Sequence, residues 1–169
     1  SSEEAVKVAL AEAERRVQAI ATVHAALSQN VDESVDFDEV ARTIVRMSGA
    51  IASTDHSVEV ITTGSFGTIQ ADQAQALATV LNELVANSVE HGLADRDGLI
   101  EVRAEREGTS MTITVADDGV GFVPGTPMSG LGTQIVHQMV RGELKGSIEW
   151  APREGGGTLV TLHANLDPA

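Results

Sequence analysis

The sequence predicts an α+β fold, a two-layer α/β sandwich in which a mixed sheet carries helices on one face, preceded by an N-terminal bundle helix. Three observations predict it. A heptad seam runs unbroken from Val6 to Leu27. Behind it, stretches of helical spacing and of strict alternation follow one another as α-β-β-α-β-β-α-β-β, which is not the β-α-β alternation of a doubly wound parallel sheet. The chain has 169 residues, 42% hydrophobic and only 2% aromatic, enough for one domain and an appended element around an aliphatic core.

Residues 3 to 28 read as one helix. Val6, Leu10, Ala13, Val17, Ile20, His24 and Leu27 are spaced alternately four and three apart, and the charged residues lie off that seam. One amphipathic helix cannot bury such a seam alone, so it needs partner helices. Ser1 and Glu4 form a potential capping box. Gln29 to Ser34 is a polar connection. Asp36 with Glu39 opens a second helix with Phe37, Val40, Ala41, Ile44, Met47 and Ile51 on one face.

Val58–Ile61 and Thr68–Gln70 flank Gly64-Ser65-Phe66-Gly67 and read as a short hairpin. A helix follows from Ala71 to Leu93. Leu99–Arg106 and Met111–Ala116 alternate apolar and polar around Glu107-Gly108, a second hairpin. Asp117 to Ser129 is a loop rich in Gly and Pro. A helix from Leu131 to Leu144 carries Ile135, Val136, Met139 and Val140. Ser147–Trp150 and Thr158–His163 are the final strands, joined through Gly155-Gly156-Gly157.

Composition narrows the function. The absence of cysteine removes disulfides, thiol nucleophiles and cysteine-zinc sites. A net charge of -14 argues against nucleic acid and against direct contact with anionic membranes. No apolar run reaches membrane-spanning length and no signal peptide is visible, so the expectation is a cytoplasmic protein. An acidic chain that binds an anionic nucleotide must rely on Mg²⁺, backbone N–H groups and helix termini.

The third helix carries the chemistry. Leu77, Leu81, Leu84, Val85 and Ser88 form its buried stripe. Beside it Glu83, Asn87 and His91 stack four residues apart. An isolated pair of this kind more often faces solvent. A carboxylate one turn from a carboxamide can also place a base next to an oxygen ligand for a hard cation. Asp117 ends the alternating run Met111-Ile113-Val115, where a buried carboxylate needs a hydrogen-bond partner. It is followed by Gly119 and Gly121, which permit positive φ and close approach of backbone to a ligand. Gly125 to Ser129 suits a short lid. Gly130, Leu131 and Gly132 open a helix whose free N–H groups could face a phosphate. Thr158 follows the three glycines.

Helix face, acidic-glycine turn, glycine-rich helix start and glycine-threonine strand, in that order, resemble the four nucleotide-binding boxes of the GHKL, or Bergerat-fold, ATPases, the family of DNA gyrase, MutL and the histidine kinases. The resemblance implies ATP and Mg²⁺ as cofactors. Asn87 matches the Mg²⁺-binding asparagine, and Glu83 the residue one turn before it that is a general base in the ATPase branches. Asp117 matches the aspartate that accepts the adenine amine, and Thr158 the hydroxyl that reaches adenine through water. His91 is a potential phosphate neighbour. Asp118 stands where the family often has Asn and reads as peripheral. Glu90 stands where the kinase branch often has Lys; an acid there repels the phosphates and is expected to point away.

The N-terminal segment is similar to the second dimerisation helix of the HWE-like sensor histidine kinases and their relatives, the cytosolic PdtaS-type kinases of actinobacteria among them. That implies residues 1–34 as part of a dimerisation and phosphoacceptor region and 35–169 as a catalytic ATP-binding domain. It implies a homodimer in the intact protein and a response regulator as partner. None of His24, His56, His91, His137 and His163 has the His-Arg-x-Lys-Asn context of a phosphoacceptor. The expectation is therefore a C-terminal piece that presents Mg-ATP to a histidine outside this chain and cannot autophosphorylate alone. The alternatives are an anti-sigma-type serine kinase and a non-catalytic, nucleotide-sensing dimerisation module.

Overall fold

The structure is a computed structural model that describes residues 1–27, 34–51, 57–89, 93, 96–121 and 131–168. Helix α1 (Ser2–Leu27) is followed by β1 (Ser34–Asp36), α2 (Phe37–Ile51), β2 (Val58–Gly64), β3 (Thr68–Gln70) and α3 (Ala71–Asn87). Then come β4 (Gly98–Glu107), β5 (Ser110–Asp117), α4 (Leu131–Gly142), β6 (Ser147–Pro152) and β7 (Thr158–Asn165). The main sheet has the order β2-β4-β5-β7-β6, with β2 parallel to β4 and the other pairs antiparallel.

Alternation along the strands decides the layers. Ile100, Val102 and Ala104 of β4, Met111, Ile113 and Val115 of β5, and Val160, Leu162 and Ala164 of β7 turn inward and are buried. They join one aliphatic core with Phe37, Val40 and Ile44 of α2, Leu77, Leu81, Leu84 and Val85 of α3, and Val136 and Val140 of α4. The helices thus cover one face, as expected. On the other face Glu101, Arg103 and Glu105 alternate with those core residues along β4.

Gln73, at the start of α3, is a buried polar residue whose bonds lock three elements. Its amide nitrogen donates to the Glu143 and Asn165 carbonyls at 2.9 and 3.3 Å, and its oxygen accepts the Asp167 N–H at 2.7 Å.

The expected first hairpin and the stretch before α2, where a short strand β1 forms, differ from expectation. Residues 58–64 and 68–70 do not pair with each other. Strand β2 runs parallel to β4, whereas β3 pairs with β1 in a separate two-stranded sheet. The corner between them is clamped by side chains from elsewhere. Asp38 of α2 accepts the N–H groups of Phe66 and Gly67 and the Ser65 hydroxyl, at 2.8, 3.1 and 3.0 Å. Arg106 donates to the Phe66 and Thr68 carbonyls. Gly64 and Gly67 both adopt positive φ, so the chain turns out of the sheet rather than back along it. Helix α2 opens at Phe37, directly after Asp36, which itself belongs to β1.

Helix α1 begins with the Ser1 hydroxyl accepting the Glu4 N–H at 3.2 Å. Its seam is open. Val6, Leu10, Val17 and Ile20 are each more than half exposed, whereas Thr22 and Ala26 are buried against the domain. Only the last turns dock, on α2 and α3. Among the described residues no helix is long and apolar enough to cross a membrane.

Candidate nucleotide-binding site

The C-terminal end of α3, the end of β5 and the start of β7 converge. The stripe Leu77, Leu81, Leu84, Val85 and Ser88 is buried, which fixes the rotation of α3. Glu83 is only 1% exposed, and Asn87, one turn on, is half-buried. The α-helical hydrogen bonding ends at Asn87. Ser88 and Val89 form a wider π-type turn, in which the Leu93 N–H donates to the Ser88 carbonyl at 2.8 Å. The helix was expected to continue to Leu93; its α-helical part ends at Asn87, and residues 90–92 lie outside the described residues. His91 and Glu90 lie outside the described residues.

Glu83 lines a cleft of about 610 Å³ between α1, α3 and α4, together with Val23, Leu27, Thr79 and Met139. It faces the docked turns of α1, so the stripe of polar residues on α3 meets the N-terminal helix at its Glu83 end. His24, exposed on α1, borders the same cleft.

Asp117 is the last residue of β5, 2% exposed, and stands opposite Thr158 in the β5–β7 ladder. The Gly119 N–H donates to its Oδ1 at 3.0 Å. Burial pushes the Asp117 carboxyl above its ordinary range. The Gly119 and Thr158 N–H groups and the Ser88 hydroxyl draw it down, the neighbouring Asp118 charge adds to the rise, and the net direction is upward.

The glycines beyond it serve two different purposes. Gly121 adopts φ of 72°. Gly119 contributes its N–H to the aspartate rather than a left-handed backbone. Gly157, at φ 101°, packs so closely on β5 that a Cβ there would stand 1.9 Å from the Asp117 carbonyl oxygen. A Cβ on Gly121 would in turn meet the Gly157 oxygen at 3.2 Å. The acidic-glycine turn and the triple-glycine turn therefore form one close-packed unit. In the sequence they stand as separate boxes.

Leu131 and Gly132 open α4, as expected, and Gly132 is buried. Gly130 and the lid residues 125–129 lie outside the described residues. Thr133, a buried hydroxyl in the first turn of α4, was not singled out from the sequence. Its signal is a polar residue immediately after the glycine pair. Midway along α4, the His137 ring lies 5.3 Å from that of Trp150 on β6.

For a divalent ion, the donor chemistry is sparse. No group of three or more His, Cys, Asp and Glu side chains converges among the described residues. Mg²⁺ held mainly by substrate phosphates and water needs few protein ligands, and the Asn87 carboxamide at the helix end fits that demand.

The sequence model described as histidine kinase-, DNA gyrase B-, and HSP90-like ATPase matches residues 72–168. A model described as histidine kinase matches residues 1–51. The sensor histidine kinase PdtaS of Mycobacterium tuberculosis is 40% identical over 159 residues, covering 91% of this chain and 32% of that protein. PdtaS of Mycolicibacterium smegmatis is 38% identical over 171 residues, covering 98% and 34%. The chain thus spans about a third of the length of these curated relatives. Among solved structures, the histidine kinase domain from the Erythrobacter litoralis EL346 blue-light activated histidine kinase superposes with a TM-score of 0.67. It is 23% identical and covers 90% of this chain and 74% of that one, a likeness of fold. The chain belongs to the family of histidine kinase-, DNA gyrase B- and HSP90-like ATPases.

Proposed function

We propose that this chain is the ATP-binding catalytic portion of a two-component sensor histidine kinase, and that it presents Mg-ATP for phosphoryl transfer to a histidine outside the chain. The observation that carries the reading is Asp117. A carboxylate this deeply buried raises the cost of its own charge, and it stands where three elements converge. Such a group is retained where a ligand uses it, and the adenine amine is a donor of the right kind.

In this reading Asp117 accepts the exocyclic amine and Thr158 binds the base through water. Gly119 and Gly121 let the backbone approach, and Gly130, Leu131 and Gly132 offer N–H groups to the phosphates beside His91. Asn87 would hold Mg²⁺, which neutralises phosphate charge. The attacking imidazole nitrogen forms the new bond to the γ-phosphorus, the bond to the β–γ bridging oxygen breaks, and ADP leaves. Catalysis is then mostly positioning and charge neutralisation. Glu83 orients or deprotonates the imidazole. Its place in the cleft facing α1 supports that role.

Residues 1–34 then belong to the dimerisation region and 35–169 to the catalytic domain; the burial of α2 in the core of the latter supports the division. The open seam of α1 supports a homodimer of the intact protein and weighs against a serine kinase without a helical bundle. A response regulator as acceptor partner, a cytoplasmic location, and no nucleic-acid or direct membrane contact complete the proposal.

Calorimetric titration with ATP, ADP and GTP, with and without Mg²⁺, tests it. Binding selective for adenine, strengthened by Mg²⁺ and lost in Asp117→Asn, is the expected result. No ATP binding by the folded wild type would refute it. In the intact protein Glu83→Ala should lower transfer while ATP binding persists; equal loss of both would remove Glu83 from the chemistry.

A further inference from the structure

We propose that Asp118, whose carboxylate accepts the Leu99 N–H at 2.9 Å, is a positioning residue for adenine recognition. It holds the Asp117-Asp118-Gly119 turn against the start of β4, and so fixes the pose of the Asp117 carboxylate. The proposal rests on the ATP-binding reading above.

The β4–β5 ladder ends at the pair Ile100–Asp117. One residue further, the chain must leave the sheet to form the turn. There the backbone keeps one contact, Asp118 N–H to the Leu99 carbonyl at 3.3 Å. The Asp118 side chain supplies the second by standing in for the missing main-chain acceptor of Leu99. Asp118 is exposed, yet the structure makes room for it. A Cβ on Gly98 would lie 2.7 Å from Asp118 Oδ1 and 2.4 Å from Leu93 Cδ2. Leu93 is in turn tied to the Ser88 carbonyl. On its other side the turn is wedged by Gly157 against the Asp117 carbonyl. The Asp118 bond is thus the β4 half of a two-sided grip on the turn.

That grip reaches the ligand-facing group directly. The N–H that seats Asp117 Oδ1 belongs to Gly119, the residue after Asp118. Releasing Asp118 from Leu99 frees the turn on one side and loosens the bond that orients the carboxylate. Leu99 N–H can then turn to water, so the fold loses little while the recognition geometry is lost.

Two substitutions separate position from charge. Asp118→Asn keeps the Oδ1 acceptor and drops the charge; Asp118→Ala drops both. ATP and GTP dissociation constants are measured by calorimetry on each protein, with thermal melts alongside. Asp118→Ala is expected to weaken ATP binding roughly tenfold, the effect of one lost hydrogen bond to a charged group, and to shrink the ATP-to-GTP preference. Asp118→Asn is expected to retain both, because the acceptor remains. A purely structural role predicts a lower Tm in Asp118→Ala with unchanged affinity and selectivity, and that result overturns the proposal. Equal loss in Asp118→Asn and Asp118→Ala also overturns it, since charge rather than position would then matter. A wild type that binds no ATP overturns the ATP reading and this proposal together, whereas normal wild-type binding with an unaffected Asp118→Ala overturns this one alone.

Discussion

Two adjacent glycines offer a sharp test of how the site is built. Gly156 and Gly157 adopt φ of 115° and 101°, a region that side-chain-bearing residues rarely enter. Alanine at either costs about 1–3 kcal/mol of backbone strain. For a domain of this size that lowers Tm by roughly 2–12 °C. Their surroundings differ. At Gly156 no atom lies within 4 Å of an added Cβ, so strain is the whole effect. At Gly157 the Cβ falls 1.9 Å from the Asp117 carbonyl oxygen, where ordinary contact begins at 3.4 Å. The strand end carrying Asp117 must therefore yield by about 1.5 Å. A displacement of that order at a positioning group costs on the order of a hundredfold. The expectation is that Gly156→Ala lowers Tm with ATP affinity close to wild type, while Gly157→Ala lowers Tm further and loses about a hundredfold in affinity. Thermal melts and calorimetric titration of the folded proteins read both. Wild-type ATP affinity in Gly157→Ala, or an equal loss in Gly156→Ala, would refute the reasoning that the triple-glycine turn acts through Asp117.

Three further outcomes are expected. Asp117→Asn should leave Tm unchanged or raised at neutral pH while abolishing adenine selectivity. The carboxyl is held above its unfolded value, so its contribution to stability is present below about pH 3.8 and lost as pH rises through the folded value; a Tm fall of more than about 4 °C at pH 7 would contradict this. Gln73→Ala should cost about 2–4 kcal/mol, because it removes three hydrogen bonds of a buried side chain, to the Glu143 and Asn165 carbonyls and from the Asp167 N–H, whereas Gln70→Ala, with one exposed bond to the Pro168 carbonyl, should stay within about 0.5 kcal/mol; denaturant melts separate them. Asp38 behaves oppositely to Asp117. Burial pushes its carboxyl up, but the Phe66 and Gly67 N–H groups, the Ser65 hydroxyl and Arg42 outweigh that and hold it low. Its contribution is therefore present above the ordinary carboxylate value and lost as pH falls through the depressed one. The Tm gap between wild type and Asp38→Ala should narrow in acid, and a gap independent of pH would rule out the charge.

What the sequence disclosed depended on how local each feature is. The β4–β5 and β6–β7 hairpins were legible because alternation and turn glycines lie within one short stretch. The buried stripe of α3 was legible by its spacing. The partner of β2 was not, since a parallel pairing with β4 joins residues forty apart and nothing near Val58 encodes it. The Gly64–Gly67 corner imitated a hairpin turn; only the reach of Asp38 and Arg106 from distant elements shows that it redirects the chain. Strand β1, at three residues, is too short to carry a period. At the site, a carboxylate closing an apolar strand singled out Asp117. Asp118 looked peripheral because its partner, the Leu99 N–H, is a backbone group that no side-chain pattern announces.

The position of β5 in the sheet has a consequence for how the molecule breathes. Among the described residues it is the middle strand of five, paired along its length with β4 and β7, whereas β2 and β6 each have one neighbour. Amide protons on such a strand exchange with solvent only when most of the domain opens, while edge strands and the unsupported first turns of α1 open at far lower cost. Asp117 and Thr158 face each other on two of the three interior strands. The end of the candidate site proposed to hold the base is thus built into the part of the domain that opens last, and it stays assembled through the partial openings that release the edges.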